Sequence, residues 1–224
     1  IVKQALPWLD MQLKKEYEEL KRLKMDMKLN HLSYTAIQYL YMRSFFKETS
    51  IAKEIQPAVD YYLNQCDKYW LKQSKYMQAM MALALHRNNH AATARGIIAS
   101  LKENAIYNDE MGMYFKEFST GGCYWYQSPI ESQAMMIEAF SDIDNNNKSV
   151  DDLKTWLLKQ KQTQNWKTTK ATAEACYALL MNGSNWLNQE RQVEIHLGNT
   201  VINSKDEKNE VGTGYFKKTI DGSK

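Results

Sequence analysis

QKQTQNWKTTKATAEACYALLM, Gln160 to Met181, decides how this chain is read. A polar, Gln-rich segment ends on Trp166, and a helix with almost no polar face follows. An earlier stretch, YWYQSPIESQAMMIEAF (Tyr124 to Phe140), has the same layout. Tyr126 aligns with Trp166, Ser128 with Thr168, Ser132 with Thr172 and Phe140 with Leu180, each pair forty residues apart. A period of that length marks a repeated helical unit.

Working outward, helices apolar on all sides alternate with helices carrying one apolar stripe. Lys72 to His86 holds Met77, Met80, Met81, Leu83 and Leu85 with little charge. The Ser149 to Lys161 segment instead has a single stripe, Val150, Leu153, Trp156 and Leu157, with lysines covering the rest. An all-round apolar helix belongs inside and a one-stripe helix outside. The pattern predicts inner helices starting near 33, 74, 129 and 168, with outer helices between them. Stacked helical hairpins of this kind build solenoids or close into α/α toroids. The expected fold is mainly α, a partial α/α toroid over 1–190 with a short β segment at 191–224.

Local signals refine this. Leu9 to Asn30 reads as a charged first helix, and Ile51 to Cys66 as a third, capped by Thr49-Ser50. Pro57 inside it predicts a kink or a late start. Ala105 to Gly122 reads as irregular, with one short helix around Glu110 to Phe118. Ser128-Pro129-Ile130-Glu131 has the form of a capping box with proline in the first turn. VEIHLGNTVI alternates like one strand, Lys205 to Glu210 is a charged turn, and VGTGYFKKTI reads as a second strand.

Composition excludes some classes. The 224 residues are 44% hydrophobic and 25% charged, with only 9 glycines and 3 prolines, which favours long helices over a turn-rich β fold. The net charge of +3, with no Lys/Arg cluster interleaved with aromatics, argues against nucleic acid. No apolar run approaches a membrane span, so no direct membrane insertion is expected. An N-terminus without Met and a C-terminus stopping in strand-like sequence predict a piece of a longer protein, with other domains of that chain as partners.

The Trp166 to Leu180 segment resembles a helix start in the thioester domain of the alpha-2-macroglobulin and complement family, which has Trp, a polar turn and Thr-x-x-Ala-x-x-Ala-Leu. Pro129 to Ala134 looks like the preceding copy, and the resemblance, strongest to large members found in Bacteroidetes, spans roughly Ser74 to Gly214. It implies an α/α toroid returning into a β-sandwich, in an exported, envelope-associated or extracellular protein that traps or inhibits proteases. The family tethers targets through a Cys–Gln thioester in Gly-Cys-Gly-Glu-Gln, and that pentapeptide does not occur here. Three residues after Cys66, Cys123 and Cys176 stand Tyr69, Tyr126 and Leu179. The expected chain is therefore not an enzyme, binds no cofactor or metal, and acts through protein contacts, with proteases as candidate partners. Cys176 is expected to be buried and inert.

Other residue patterns suggest chemistry and also have plainer readings. Asp142, Asp144 and Asn146 match the opening of a calcium loop, but its sixth position is Asn147 and its twelfth Leu153, so a polar helix connection accounts for them too. His86 and His90 have zinc spacing, yet Asn88 and Asn89 between them read as a helix end. Glu131 could pair with Asp109 or Glu110 as in α/α-toroid glycosidases; capping is the simpler account. Tyr114, Phe115, Phe118, Tyr124, Trp125, Tyr126 and Trp166 form an aromatic set. Of these, Tyr124, Trp125, Tyr126 and Trp166 are the candidate partner-binding residues, and capping of the core is the alternative. A glycosidase or lyase on a toroid and a purely structural scaffold stay open as rival functions.

Overall fold

The computed structural model describes residues 2–116, 128–144, 146–163, 165–181, 193–198, 200–206 and 216–219. It forms two compact units, Ile1–Ala178 and Leu179–Lys224. The described residues are mainly helical, with eight α-helices and two small antiparallel sheets.

In the first unit, α1 (Val2–Arg22), α2 (Tyr34–Arg43), α3 (Gln56–Tyr69), α4 (Lys75–Arg87) and α5 (Ala91–Glu103) lead to a small hairpin, β1 (Ile106–Asn108) and β2 (Gly112–Tyr114). Helices α6 (Pro129–Ile143) and α7 (Asn147–Thr163) follow, and then α8 (Thr169–Met181), whose residues from Leu179 on belong to the second unit. Helix α4 packs on α2, α3, α5 and α6, and α6 packs on α4, α5 and α7. The predicted alternation is visible in burial for α4 to α7, whereas α2, expected to be an inner helix, buries Ala36, Ile37, Tyr39, Leu40 and Arg43 and leaves Tyr34, Thr35 and Gln38 exposed. On α4 every residue from Ala79 to Leu85 is buried, and on α6 every residue from Glu131 to Phe140. On α5 the buried set shrinks to Ala94, Ile97, Ile98 and Leu101, and on α7 it is centred on Val150, Leu153, Trp156 and Leu157. Burying such stripes is the main stabilising term, about 25 cal/mol per Å² of apolar surface.

Helix ends explain several departures from expectation. Helix α1 begins earlier than Leu9 and stops at Arg22, because Lys24 takes a left-handed conformation (φ 52°) and Met25 N–H bonds back to the Leu20 carbonyl, a Schellman closure. Helix α3 starts late, at Gln56, with Pro57 in its first turn, and Ile55 rather than Thr49 or Ser50 is its N-cap. The capping box at α6 does not form. Ser128 is the N-cap, but its side chain makes no cap hydrogen bond, and Glu131 is buried instead of reaching back. At α7, Asn146 Oδ1 accepts the N–H groups of Lys148 and Ser149, so the cap lies three residues before the expected Ser149. Thr168 Oγ1 caps α8 through Ala171 N–H.

The segment after Ala105 is a hairpin, not the expected short helix. Asn108 Oδ1 accepts N–H groups from Glu110 and Met111, and Gly112 closes the turn at φ 75°. A Cβ on Gly112 would lie 2.2 Å from the Asp152 carbonyl oxygen, so only glycine lets the hairpin approach α7 this closely. Gln133 then ties the layers together, donating to the carbonyls of Met113 (2.8 Å) and Leu153 (3.0 Å). Tyr114 stacks on Trp156 of α7, with ring centroids 6.2 Å apart.

Helix α8 overturns an expectation. It is not buried all round: Ala171, Ala175 and Ala178 face inward, while Cys176, Tyr177 and Leu180 are exposed. In the second unit, the run read as one strand folds on itself at Gly198. It gives β3 (Glu194–Leu197) paired with β4 (Thr200–Asn203), Leu197 opposite Thr200. Gly-Asn is a two-residue hairpin signal, which the alternation of the flanking residues hides. Of VGTGYFKKTI, 216–219 are described and carry no strand; the rest lies outside the described residues.

Candidate functional site

A polar constellation lies where α2, α4 and α6 bring their C-terminal halves together. Arg87, the last residue of α4, donates through Nη2 to Glu138 Oε1 (2.7 Å) and Asp142 Oδ2 (2.5 Å) of α6. The Tyr41 hydroxyl of α2 donates to the other oxygen of Glu138 at 2.6 Å. The guanidinium also lies over the Phe45 ring (4.4 Å) and near that of Tyr41 (5.7 Å). Glu138 and Asp142 are four residues apart, so one helix face offers both carboxylates to one cation.

The electrostatics follow from this packing. Burial, then the Glu138 charge, pushes the Tyr41 phenol far above its ordinary range. Burial alone would lower the Arg87 pKa, but hydrogen bonds to Asp142 and Glu138 outweigh it, and the pKa is raised. Arg87 is therefore a fixed cation. Glu138, with a donor on each of its two oxygens, is a strut across three helices. About three turns back along α4 from Arg87, Tyr76 is buried near carboxylates. Burial, then Glu174, Glu131 and Glu138, drives its pKa up.

On α8, Glu174 binds Lys170 through Oε1 at 2.9 Å, while its Oε2 is buried without a partner. Tyr177, one turn on, is 48% exposed. Its pKa is raised by burial first and then by Glu138, against the opposing Arg87. A cleft of about 270 Å³ flanks the constellation, lined by Arg43, Lys47, Arg87 and Asn88 among others. Arg43 is committed there, to Asp10 and to the carbonyls of Phe46 and Thr49.

The residues singled out from sequence fare unevenly. Asp142 Oδ2 is held by Arg87, Asp144 Oδ2 by Lys102 (3.2 Å), and Asn146 Oδ1 caps α7, so one oxygen of each calcium-loop side chain is already engaged. His86 and His90 do not share a helix face. Helix α4 ends at Arg87, Asn89 has φ 69°, and His90 Nδ1 lies 2.5 Å from Asp67. Among the described residues no group of three or more His, Cys, Asp or Glu could hold a metal. Asp109 and Glu110 are exposed at the hairpin tip, whereas Glu131 is buried and acts on Tyr76.

The aromatic set divides. Phe115 is fully buried beneath Lys75, and Tyr114 stacks on α7. Trp166 is half-buried with Lys161 above its ring at 5.4 Å, and its indole N–H is buried without an acceptor. Phe118, Tyr124, Trp125 and Tyr126, and with them Cys123, lie outside the described residues. Cys66 is buried, its thiol pushed up by burial, and Cys176 is exposed, contrary to expectation.

Tyr41, Arg87, Glu138 and Tyr177 were missed in the sequence because they belong to no motif. The signal was nonetheless present: a lone Glu138 inside the apolar run AMMIEAF, and Arg87 at the end of MMALALH. A charge in an otherwise buried helix requires a partner. No model of a known protein family, no curated protein and no solved structure matches the chain.

Proposed function

We propose that this chain is a non-enzymatic, protein-contacting domain, a partial α/α toroid of the type seen in alpha-macroglobulin thioester domains. It serves protease trapping or inhibition, or envelope defence, in an exported bacterial protein. The repeat ending on Trp166, the row of all-round buried helices and the one-stripe helices beside them support the architectural half of this reading. The observation carrying the functional half is the engagement of Glu138: Tyr41 and Arg87 take both its oxygens, and Asp142 shares the same guanidinium. A general acid or base needs a carboxylate that can exchange a proton with substrate, and these two are held as counter-ions to a permanent cation.

A glycosidase or lyase reading rests on Glu131 and Glu174, both close enough to Tyr76 to raise its pKa. One paired experiment separates the two. The purified chain is incubated with a panel of proteases and, separately, with a panel of polysaccharides. Protease association or inhibition without glycan turnover is expected. Glycan turnover abolished by Glu131→Gln or Glu174→Gln would contradict the proposal.

A further inference from the structure

Two segments of the first unit meet at one surface. LKRLKMDMKL, at 20–29, leaves the end of α1, and KYWLK, at 68–72, closes α3 in a short 3-10 turn. The first segment is pinned to α3 through its backbone. The Met27 carbonyl accepts from the Tyr61 hydroxyl (3.4 Å) and Gln65 Nε2 (3.3 Å), and Oε1 of the buried Gln65 accepts the His31 N–H (2.9 Å). The Lys28 carbonyl accepts from Lys68 Nζ (3.2 Å) and from the Tyr69 hydroxyl. With these main-chain groups spent on α3, apolar side chains face water. Leu23, Met25, Leu29 and Leu71 are 55%, 44%, 56% and 70% exposed. Lys24, Lys28, Lys68 and Lys72 are exposed among them.

The charge here is one-sided. Over 20–33 and 64–73, Lys21, Arg22, Lys24, Lys28, Lys68 and Lys72 stand against Asp26 and Asp67. Asp67 is engaged by His90, and Arg22 by Glu19. Further back, Lys14 and Lys15 of α1 balance Glu16 and Glu18, and Asp60 of α3 accepts from Gln56. With all of these counted in, the surface stays positive.

Three classes of anionic partner fit a positive surface, and the apolar residues choose between them. A phosphate backbone offers nothing to four exposed apolar side chains, and the rings present already carry lysines: Lys68 and Lys72 over Tyr69 (5.1 and 5.6 Å), Lys21 over Tyr17 (5.0 Å). Protein interfaces deplete lysine and gather apolar residues at a desolvated centre, whereas lysines and apolar residues alternate along both segments here. That mixture suits a bilayer surface, where short apolar side chains enter the headgroup boundary while lysines reach anionic headgroups beside them. Trp70, partly exposed between Tyr69 and Leu71, is the residue type that settles at that boundary. Among the described residues no helix is long and apolar enough to cross a membrane, so the contact is with the surface alone.

We propose that the surface formed by 20–29 and 68–72 binds the face of an anionic lipid bilayer, with Leu23, Leu29 and Leu71 entering the headgroup region and Lys24, Lys28 and Lys72 meeting the lipid phosphates. Both forces are needed: the lysines select anionic lipid, and the leucines hold the chain there.

The test sediments the full chain with vesicles of phosphatidylcholine alone and of phosphatidylcholine mixed with phosphatidylglycerol, at several salt concentrations. Binding is expected to the mixed vesicles and not to the zwitterionic ones, weakening as salt rises. Lys28→Gln combined with Lys72→Gln is expected to weaken it about tenfold and to flatten its salt dependence. Leu29→Ser combined with Leu71→Ser is expected to weaken it by about as much while the salt dependence persists. Leu180→Ser, an exposed apolar position on α8, is expected to leave binding unchanged. All the substituted side chains are exposed, and circular dichroism of each variant establishes that it is folded.

Failure to sediment with the mixed vesicles, equal binding to zwitterionic ones, or wild-type binding by both folded double variants would overturn the proposal. Duplex DNA and polyglutamate serve as soluble polyanions. If either binds the chain and the Leu29→Ser, Leu71→Ser variant binds vesicles as the wild type does, the lysines recognise polyanions in general and the bilayer assignment fails. Concentration-dependent self-association that the same variant abolishes would give the surface to a second copy of the chain and likewise overturn it.

Discussion

Helices α6 and α8 share a sequence layout and meet different surroundings. Phe140 on α6 is 0% exposed and its counterpart Leu180 on α8 is 63% exposed. Ser132 is fully buried and Thr172 is exposed. Helix α6 is enclosed by α4, α5 and α7, so every side of it finds apolar partners. Helix α8 buries one alanine stripe, Ala171, Ala175 and Ala178. An apolar perimeter thus records what a helix can bury, and burial itself depends on neighbours. The same contrast separates their charges: Glu138 on α6 is buried and hydrogen-bonded through both oxygens, whereas Glu174 on α8 has one oxygen paired and one not.

The largest expected effect tests the aligned pair directly. Phe140→Ala should cost about 3–5 kcal/mol in urea unfolding, because it removes a fully buried ring and leaves a cavity. Leu180→Ala should cost less than about 1 kcal/mol, as for exposed substitutions. Equal losses would erase the distinction between the helices.

The charges give the next effect. Glu138→Ala should destabilise by about 2–3 kcal/mol, since Tyr41 loses its acceptor and Arg87 keeps Asp142 as its one carboxylate. Glu174→Ala breaks a half-exposed pair with Lys170 and should change stability by less than about 1 kcal/mol. Thermal or urea melts of the two variants, run side by side, decide this.

Trp166→Ala should fall between these limits, at about 1–2 kcal/mol. The ring is half-buried and its N–H is unpaired, so part of what truncation removes is unfavourable in the wild type. A loss of ~4 kcal/mol would place Trp166 as the wedge between hairpins that its sequence position suggests.

A smaller effect separates the thiols. Peptide-mapped alkylation of the native chain should label Cys176 quickly and Cys66 only on unfolding, since burial both shields Cys66 and suppresses its thiolate. The sign of the linked pH effect follows. The folded thiol is harder to ionise than the unfolded one, so its contribution to stability is present below the unfolded pKa and declines as pH rises past about 8.5. Rapid native labelling of Cys66 would contradict its placement in α3.

Much of the fold is legible in the sequence, for identifiable reasons. Starts expected near 33, 74, 129 and 168 correspond to α2 at Tyr34, α4 at Lys75, α6 at Pro129 and α8 at Thr169. Ser33, Ser74 and Thr168 announce three of them, with side chains that accept from Ala36, Met77 and Ala171 N–H. Hydrophobic period and capping chemistry are local, so a single chain displays them. The hairpin at β1–β2 was hidden because its cause is the Asn108 side-chain turn and the contact of Gly112 with α7, which periodicity does not encode. The exposure of Cys176 was hidden because it depends on which helices pack beside α8.

The site was less legible. Arg87 and Glu138 lie 51 residues apart and meet only through the packing of α4 on α6. The motif-like candidates, Asp142 to Asn146 and His86 with His90, dissolve into ion pairs and helix ends once the fold supplies partners.

Native-state hydrogen exchange resolved along α6 and α8 tests the central contrast most directly. Amides in the middle of α6 should exchange only through global unfolding, with protection equal to the free energy measured in urea, while those of α8 should open by a smaller, local route and exchange much faster. Equal, global protection in both helices would contradict the account, because it would require α8 to be enclosed as fully as α6.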